Sequence, residues 1–288
     1  MEWHDLRDAN DPRLDQLAER YQLHPLHIED CRHRDQNAKI EENGHYIFVV
    51  LKPVEIAPDG ELAFSDLDLF LGHDFLITVQ ETDCAPARRS IDQLRASAVN
   101  QRADQLFYRV ADAMVDSFLP ALDHLDELAD TLENEVLENP SPACLEKVFR
   151  AKRNLIELRR VLANTRDVAN HLQRSESDLI ARDLWPFFRD VYDHVARNLD
   201  TVEMQRDLIT GAMDIYLSSQ AQRTNQVMKV LTVLSTIALP AVIVSSFFGM
   251  NLHGLPWSEA PHGAWIAIAL TAGSTLLLLV FLRLFRWL

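Results

Sequence analysis

Residues 230–251 read VLTVLSTIALPAVIVSSFFGMN, and this stretch decides the architecture. No Asp, Glu, Lys or Arg occurs between Lys229 and Glu259, and a second apolar run follows at 264–282. At 1.5 Å per residue, runs of about 19 residues cross a hydrocarbon core of about 30 Å, so both are read as membrane spans. The first ends in Gly249-Met250-Asn251, which puts uncapped backbone carbonyls and a neutral amide at a membrane mouth. Such ligands suit a hydrated hard cation, and the stretch reads as part of an ion channel.

Basic residues set the topology. Arg223 and Lys229 precede the first span, Arg283 and Arg286 follow the second, and residues 252–263 between them hold no Lys or Arg. The positive-inside bias therefore puts both termini in the cytoplasm. Trp257 and Trp265 mark the outer interface and Trp287 the inner one.

The chain has 288 residues and a formal charge of −15. That length leaves room for one soluble domain besides the spans. The charge argues against nucleic acid or anionic lipid as a principal partner. Cys31, Cys84 and Cys144 have no metal-ligand spacing and indicate a reduced compartment. The acidic N-terminus lacks the apolar core of a cleavable signal, so the spans are expected to act as insertion signals.

Residues 1–100 read as mixed α/β. Strands are expected at 45–51, at 62–71 with one face wet, and at 74–80; helices are expected at 11–21, 25–32 and 87–98. From Asp104 the pattern turns helical. An acidic helix with no Lys or Arg between Val110 and Glu146 is expected to fold back on a basic one that starts at Ser141, a plausible N-cap. A third helix runs from Pro186 through the first span, about 60–70 residues or roughly 100 Å. Val195, Val202, Ile209 and Tyr216 recur every seven residues, so one stripe faces a packed neighbour. A helix of that length needs partners throughout, and self-association around an axis is the simplest supply.

Few residues suggest other chemistry. His24, His27 and Cys31 have a spacing open to a transition metal, but Pro25 makes His24 a helix cap rather than a ligand. No nucleophile–base motif or Gly-rich phosphate loop occurs, so neither an enzyme nor an organic cofactor is expected. The span carries more. Asn225, Met228, Leu231, Ser235, Leu239, Val242 and Ser246 share one helical stripe, with Asp214 near it below. The stripe reads as a polar opening, two apolar constrictions separated by a small polar step, and the Gly-Met-Asn mouth. Ordinary helix packing, with hydroxyls bonding between helices, is the competing account.

Thr224-Asn-Gln-Val-Met-Lys-Val-Leu-Thr-Val-Leu234, Pro240, Phe248-Gly-Met-Asn251 and the closing Arg-Leu-Phe-Arg-Trp-Leu288 together resemble the CorA family of magnesium channels. Phe187-Phe-Arg-Asp-Val-Tyr-Asp193 and Asp214-Ile-Tyr-Leu-Ser-Ser219 extend the likeness upstream, and His24-Pro-Leu with Lys39-Ile-Glu41 extends it to the N-terminal domain. The resemblance implies an α+β cytoplasmic domain whose long helices lead into a two-span membrane domain, assembled as a funnel-shaped homopentamer in the inner membrane. The organisation expected is an α/β domain at 1–100, the helix hairpin at 101–177 and the cytoplasmic part of the pore helix at 178–226. The first span with its filter follows at 227–251, the external loop at 252–263, the second span at 264–282 and a basic tail at 283–288. Val242 and Ser246 depart from the threonine and glycine familiar in the family. The loop offers one carboxylate, Glu259, and an unusual His253, which bears on cation capture and metal preference.

Magnesium influx is the function implied, with cobalt or nickel secondary. Mg²⁺ sheds water reluctantly, so neutral oxygens of Gly249, Met250 and Asn251 suit its hydrated form. No thiolate or imidazole cluster favours zinc on the stripe. Membrane potential supplies about 4.6 kcal/mol per 100 mV for a divalent ion. The alternatives are a zinc-carrying relative, kept open by His253, and a non-conducting scaffold anchored by its spans. Regulation would also use Mg²⁺: five chains of −15 each would carry −75, and bridging cations would offset their repulsion. By resemblance Asp190 is the sensor, with Glu81 or Asp83 of a neighbouring copy as its partner.

Overall fold

The computed structural model describes residues 1–33, 36–81, 84–96, 101–138, 140–250 and 261–284. It contains two compact units, Met1–Ile215 and Tyr216–Leu288.

The first unit is built on a five-stranded sheet in the order β1-β7-β6-β3-β2. These strands are β1 (Glu2–Leu6), β2 (Lys39–Glu42), β3 (Tyr46–Leu51), β6 (Leu67–Gly72) and β7 (Phe75–Gln80). β1 runs parallel to β7 and the other pairings are antiparallel. A separate ribbon pairs β4 (Val54–Ile56) with β5 (Leu62–Phe64). The three central strands are buried along their whole length, which explains their unbroken apolar runs. Tyr46, Phe48, Val50, Phe70 and Ile77 pack on Leu14 of α1 (Arg13–Tyr21) and Ile28 of α2 (Pro25–Arg32). On the opposite face, Ile47, Val49, Leu69 and Leu71 cluster with Ile91 of α3 (Ala85–Ala96) and Phe107 of α4 (Ala103–Asp116).

The single half-wet strand expected at 62–71 is not formed. It divides at Ser65-Asp66 into β5 and β6, which belong to different sheets. The polar residues that mimicked a solvent face are buried: Asp66 pairs with Lys52 at 2.8 Å, and Asp68 lies beside Cys31 under α2. β1, β2 and β4 were not foreseen, because EWHDL, KIEE and VEI are charged or too short to carry an apolar run.

Burial, and then the charge of Asp66, push the Asp68 carboxyl up from 3.8 to about 8. The folded state therefore holds a proton that the unfolded chain has released, and stability falls as pH rises from about 4 to about 8. Asp68→Asn should flatten that slope and raise the unfolding midpoint at the upper end of the range. Parallel pH profiles of thermal unfolding for parent and variant would refute the assignment.

The acidic segment is two helices, not one. α4 ends at Asp116, and α5 (Phe118–Glu138) begins after Ser117, whose hydroxyl donates to the Met114 carbonyl at 2.6 Å. The break arises because α4 packs on the sheet, whereas α5 turns its Leu122, Leu125 and Leu132 stripe inward. α6 (Pro142–Leu172) begins as expected, with Ser141 Oγ accepting from the Cys144 N–H at 3.2 Å. Lys147 joins it to Glu135 of α5 at 2.8 Å.

α7 is one helix of 64 residues, Trp185–Phe248, with Pro186 in its first turn and Pro240 within it. Val195, Val202 and Ile209 are at most 1% exposed in the single chain. Part of the covering comes from α5, whose Leu122 carbonyl accepts from Gln205 Nε2 at 3.0 Å. The heptad stripe is thus supplied by the chain itself, and not by a second copy.

Candidate permeation helix and metal cluster

α7, whose residues from Tyr216 onward belong to the second unit, and α8 (Gly263–Leu284) are each long and apolar enough to cross a membrane. The α7 surface is uneven. Val233 and Pro240 are buried, while Asn225, Met228, Leu231, Ser235, Leu239, Val242 and Ser246 are all exposed in the single chain. The expected stripe is uncovered, as is most of the α7 surface between Leu217 and Phe247. Thr232 and Thr236 donate their hydroxyls to the carbonyls of Met228 and Thr232, at 2.8 and 2.7 Å. Those protons are spent within the helix, which weakens the packing account based on hydroxyls bonding between helices. No such bond is recorded for the hydroxyls of Ser235 and Ser246 among the described residues. Pro240, lacking an N–H, cannot satisfy the Thr236 carbonyl. Asp214, further down α7, is exposed.

Gly249 closes the helix: its N–H donates to the Ser245 carbonyl at 2.9 Å. A Cβ at this position would also lie 2.9 Å from that oxygen, closer than side-chain carbons approach, so only glycine fits the turn. Met250 follows, half exposed. Asn251, His253, Trp257, Arg286 and Trp287 lie outside the described residues.

A second constellation sits in the first unit. Ligand atoms of Asp112 and Asp116 on α4 and His194 on α7 all lie within 4.8 Å of one another, a separation one cation can span. Asp190 is one turn from His194, with Oδ2 3.7 Å from Nε2. Burial first, then the charge of Asp116, hold the Asp112 carboxyl above its ordinary value. Burial and Asp112 push the neighbouring Tyr108 phenol up to about 12. Carboxylates crowded in this way gain from a shared cation, which removes both their repulsion and part of their desolvation cost.

Asp190 lies beside this group, through His194, and the three residues of the group itself were not singled out in the sequence. Asp112–Asp116 and Asp190–His194 are each four apart, so each pair shares a helix face, and that spacing was the available signal. Glu81 is engaged elsewhere: its Oε2 accepts from the Asp66 N–H at 3.2 Å. Asp83 lies outside the described residues. The histidines of α2 are structural. His24 caps the helix, its Nδ1 accepting from the Leu26 N–H at 3.2 Å. His27 engages Tyr46 at 2.7 Å and Glu41 at 3.1 Å through its two ring nitrogens.

A profile of the CorA-like Mg2+ transporter protein family matches residues 1–284. The cobalt/magnesium transport protein CorA of Thermotoga maritima is 34% identical over 279 residues, covering 96% of this chain and 80% of that protein. The divalent cation transporter CmaX of Pseudomonas aeruginosa is 26% identical over 248 residues, covering 84% and 74%. The complete structure of the CorA magnesium transporter from Methanocaldococcus jannaschii superposes with a TM-score of 0.85 at 22% identity, covering 98% of this chain and 89% of that one. At that identity the superposition bears on the fold alone: an α+β domain, a long helix and two candidate spans.

Proposed function

The chain belongs to the CorA-like Mg2+ transporter protein family, and from that premise we propose that it forms the pore of a homopentameric channel. This channel carries Mg²⁺, and secondarily Co²⁺ or Ni²⁺, into the cytosol down its electrochemical gradient. Its soluble unit and both termini lie in the cytoplasm. The observation that carries the reading is the order of polar and apolar residues along the exposed α7 stripe from Asn225 to Ser246, which ends at the Gly249 turn. Five such helices around an axis turn an uncovered face into a lumen with alternating polar and apolar rings. Gly249, Met250 and Asn251 then meet the hydrated ion at the outer mouth with neutral oxygens. A metal panel in proteoliposomes, Mg²⁺ against Zn²⁺, Co²⁺ and Ni²⁺, tests it. Zinc flux without magnesium flux would move the chain to the zinc-carrying reading, and no flux at all to a membrane-anchored scaffold.

Leu231 and Leu239 narrow the lumen and, when closed, stop ions by dewetting. Leu239→Ser is therefore expected to leak at high internal Mg²⁺, where the parent is shut. Unchanged conductance and unchanged Mg²⁺ dependence would put the gate elsewhere.

Cytosolic Mg²⁺ closes the channel by binding Asp112, Asp116, Asp190 and His194, with Glu81 or Asp83 of a neighbouring copy completing the site. This is supported by two carboxylates and an imidazole already within reach of one ion, and by Asp112 holding its proton more tightly than usual.

A further inference from the structure

The buried face of α7 advances by fours and threes through Val191, Val195, Asn198, Val202, Gln205 and Ile209, a heptad seam interrupted by two amides. Gln205 is 1% exposed, between Val202 and Ile209. Its Nε2 donates to the Leu122 carbonyl of α5 at 3.0 Å and lies 3.4 Å from Asp126 Oδ1. Its Oε1 is buried without a hydrogen-bond partner among the described residues. Chemistry fixes this orientation of the amide. A peptide carbonyl and a carboxylate only accept, so the nitrogen faces them and the oxygen is left over.

A half-satisfied amide in an apolar seam costs stability that methionine, of similar length, does not. What the amide supplies is register. Two apolar helix faces can slide past one another by a fraction of a turn with little loss, which is how packed helices shear. A buried polar side chain bonded to one carbonyl gives that bond up as soon as sliding begins. The position of Gln205 gives such a bond a use. His194 of the metal cluster lies eleven residues before it on α7, about 16 Å along the helix. Asp116 ends α4 and Leu122 stands near the start of α5, so the two points that engage α7 flank the break at Ser117.

We propose that Gln205 is a positioning residue that pins α7 to α5. With the pin in place, Asp190 and His194 stay opposite Asp112 and Asp116 when the ion leaves, and returning Mg²⁺ finds its ligands assembled. This rests on the proposed closure by cytosolic Mg²⁺. The test is Gln205→Met in the full-length protein, which keeps the bulk of the side chain and removes the amide. Spin labels at Asp130→Cys and Asp207→Cys, both exposed, report the register of α5 on α7, because the native cysteines are buried. Labelled chains are diluted with unlabelled ones so that only distances within a chain are read. The parent should give a narrow distance distribution with or without Mg²⁺. Gln205→Met should be broad without Mg²⁺ and narrow with it. In proteoliposomes Gln205→Met should need about twice the internal Mg²⁺ to close, or more, since slippage of half the chains halves the fraction competent to bind. Its unfolding temperature should be no lower than the parent's, which a bond serving stability alone would not allow. A Mg²⁺-free distribution as narrow as the parent's overturns the pin, and closure at the parent's Mg²⁺ concentration overturns its part in regulation. A parent that Mg²⁺ does not close would remove the reading beneath the proposal, and the label distances would still decide the pin.

Discussion

Gly249→Ala should reduce Mg²⁺ uptake to the level of vesicles without protein, while the chain still inserts and assembles. The added methyl would sit 2.9 Å from the Ser245 carbonyl, the same oxygen that accepts the Gly249 N–H. The turn can relieve that contact only by giving up the hydrogen bond or by swinging Met250 and the residue after it away from the axis. In the proposed ring of identical helices the displacement would recur in every copy, and the ion would meet no correctly placed oxygen. Asn251→Ala removes the amide oxygen and should reach the same endpoint by a different route. Flux assays paired with cross-linking separate loss of conduction from loss of assembly. Normal flux through an assembled Gly249→Ala or Asn251→Ala protein would end the filter assignment.

The second large effect is expected from Asp190→Lys. The substitution replaces a carboxylate, 3.7 Å from His194 and close to Asp112, with a tethered ammonium. On the proposed regulation that charge would stand in for the cation, so the soluble unit should resist protease whether or not Mg²⁺ is present. The parent should be protected only as Mg²⁺ is added. Its protection should also weaken as pH falls, because Asp112 holds its proton above the ordinary carboxylate range and metal must compete for it. If Asp190→Lys still titrates with Mg²⁺ like the parent, the sensor lies outside this cluster.

The parts of this molecule that were legible in sequence are those where a local rule is sufficient. Pro186 marked the start of the long helix, and Pro25 identified His24 as a cap. The stripe from Asn225 to Ser246 could be read because an α-helix fixes which residues share a face. Where tertiary contacts decide, the reading failed. Alternating polar residues near Asp68 looked wet, but they face Lys52 and Cys31 in the interior. β1 and β2 are strands because neighbouring strands present them with hydrogen-bonding edges, which nothing in EWHDL or KIEE announces. The ligands of the metal cluster stand on two helices far apart in the chain, so only folding brings Asp116 to His194.

The parallel seating of β1 on β7 has a kinetic consequence. Asp5 meets Thr78 across 73 residues of chain, whereas β3, β6 and β7 pair with near neighbours in sequence. Loop closure of that length is slow compared with hairpin formation, so the antiparallel core is complete before its β7 edge is covered. For that interval the edge accepts any extended segment of matching register. In a crowded assembly the best match is the Glu2–Leu6 strand of another copy. Chains synthesised side by side can therefore exchange their first strands, and refolding at high concentration should yield interlocked dimers that dilute refolding does not.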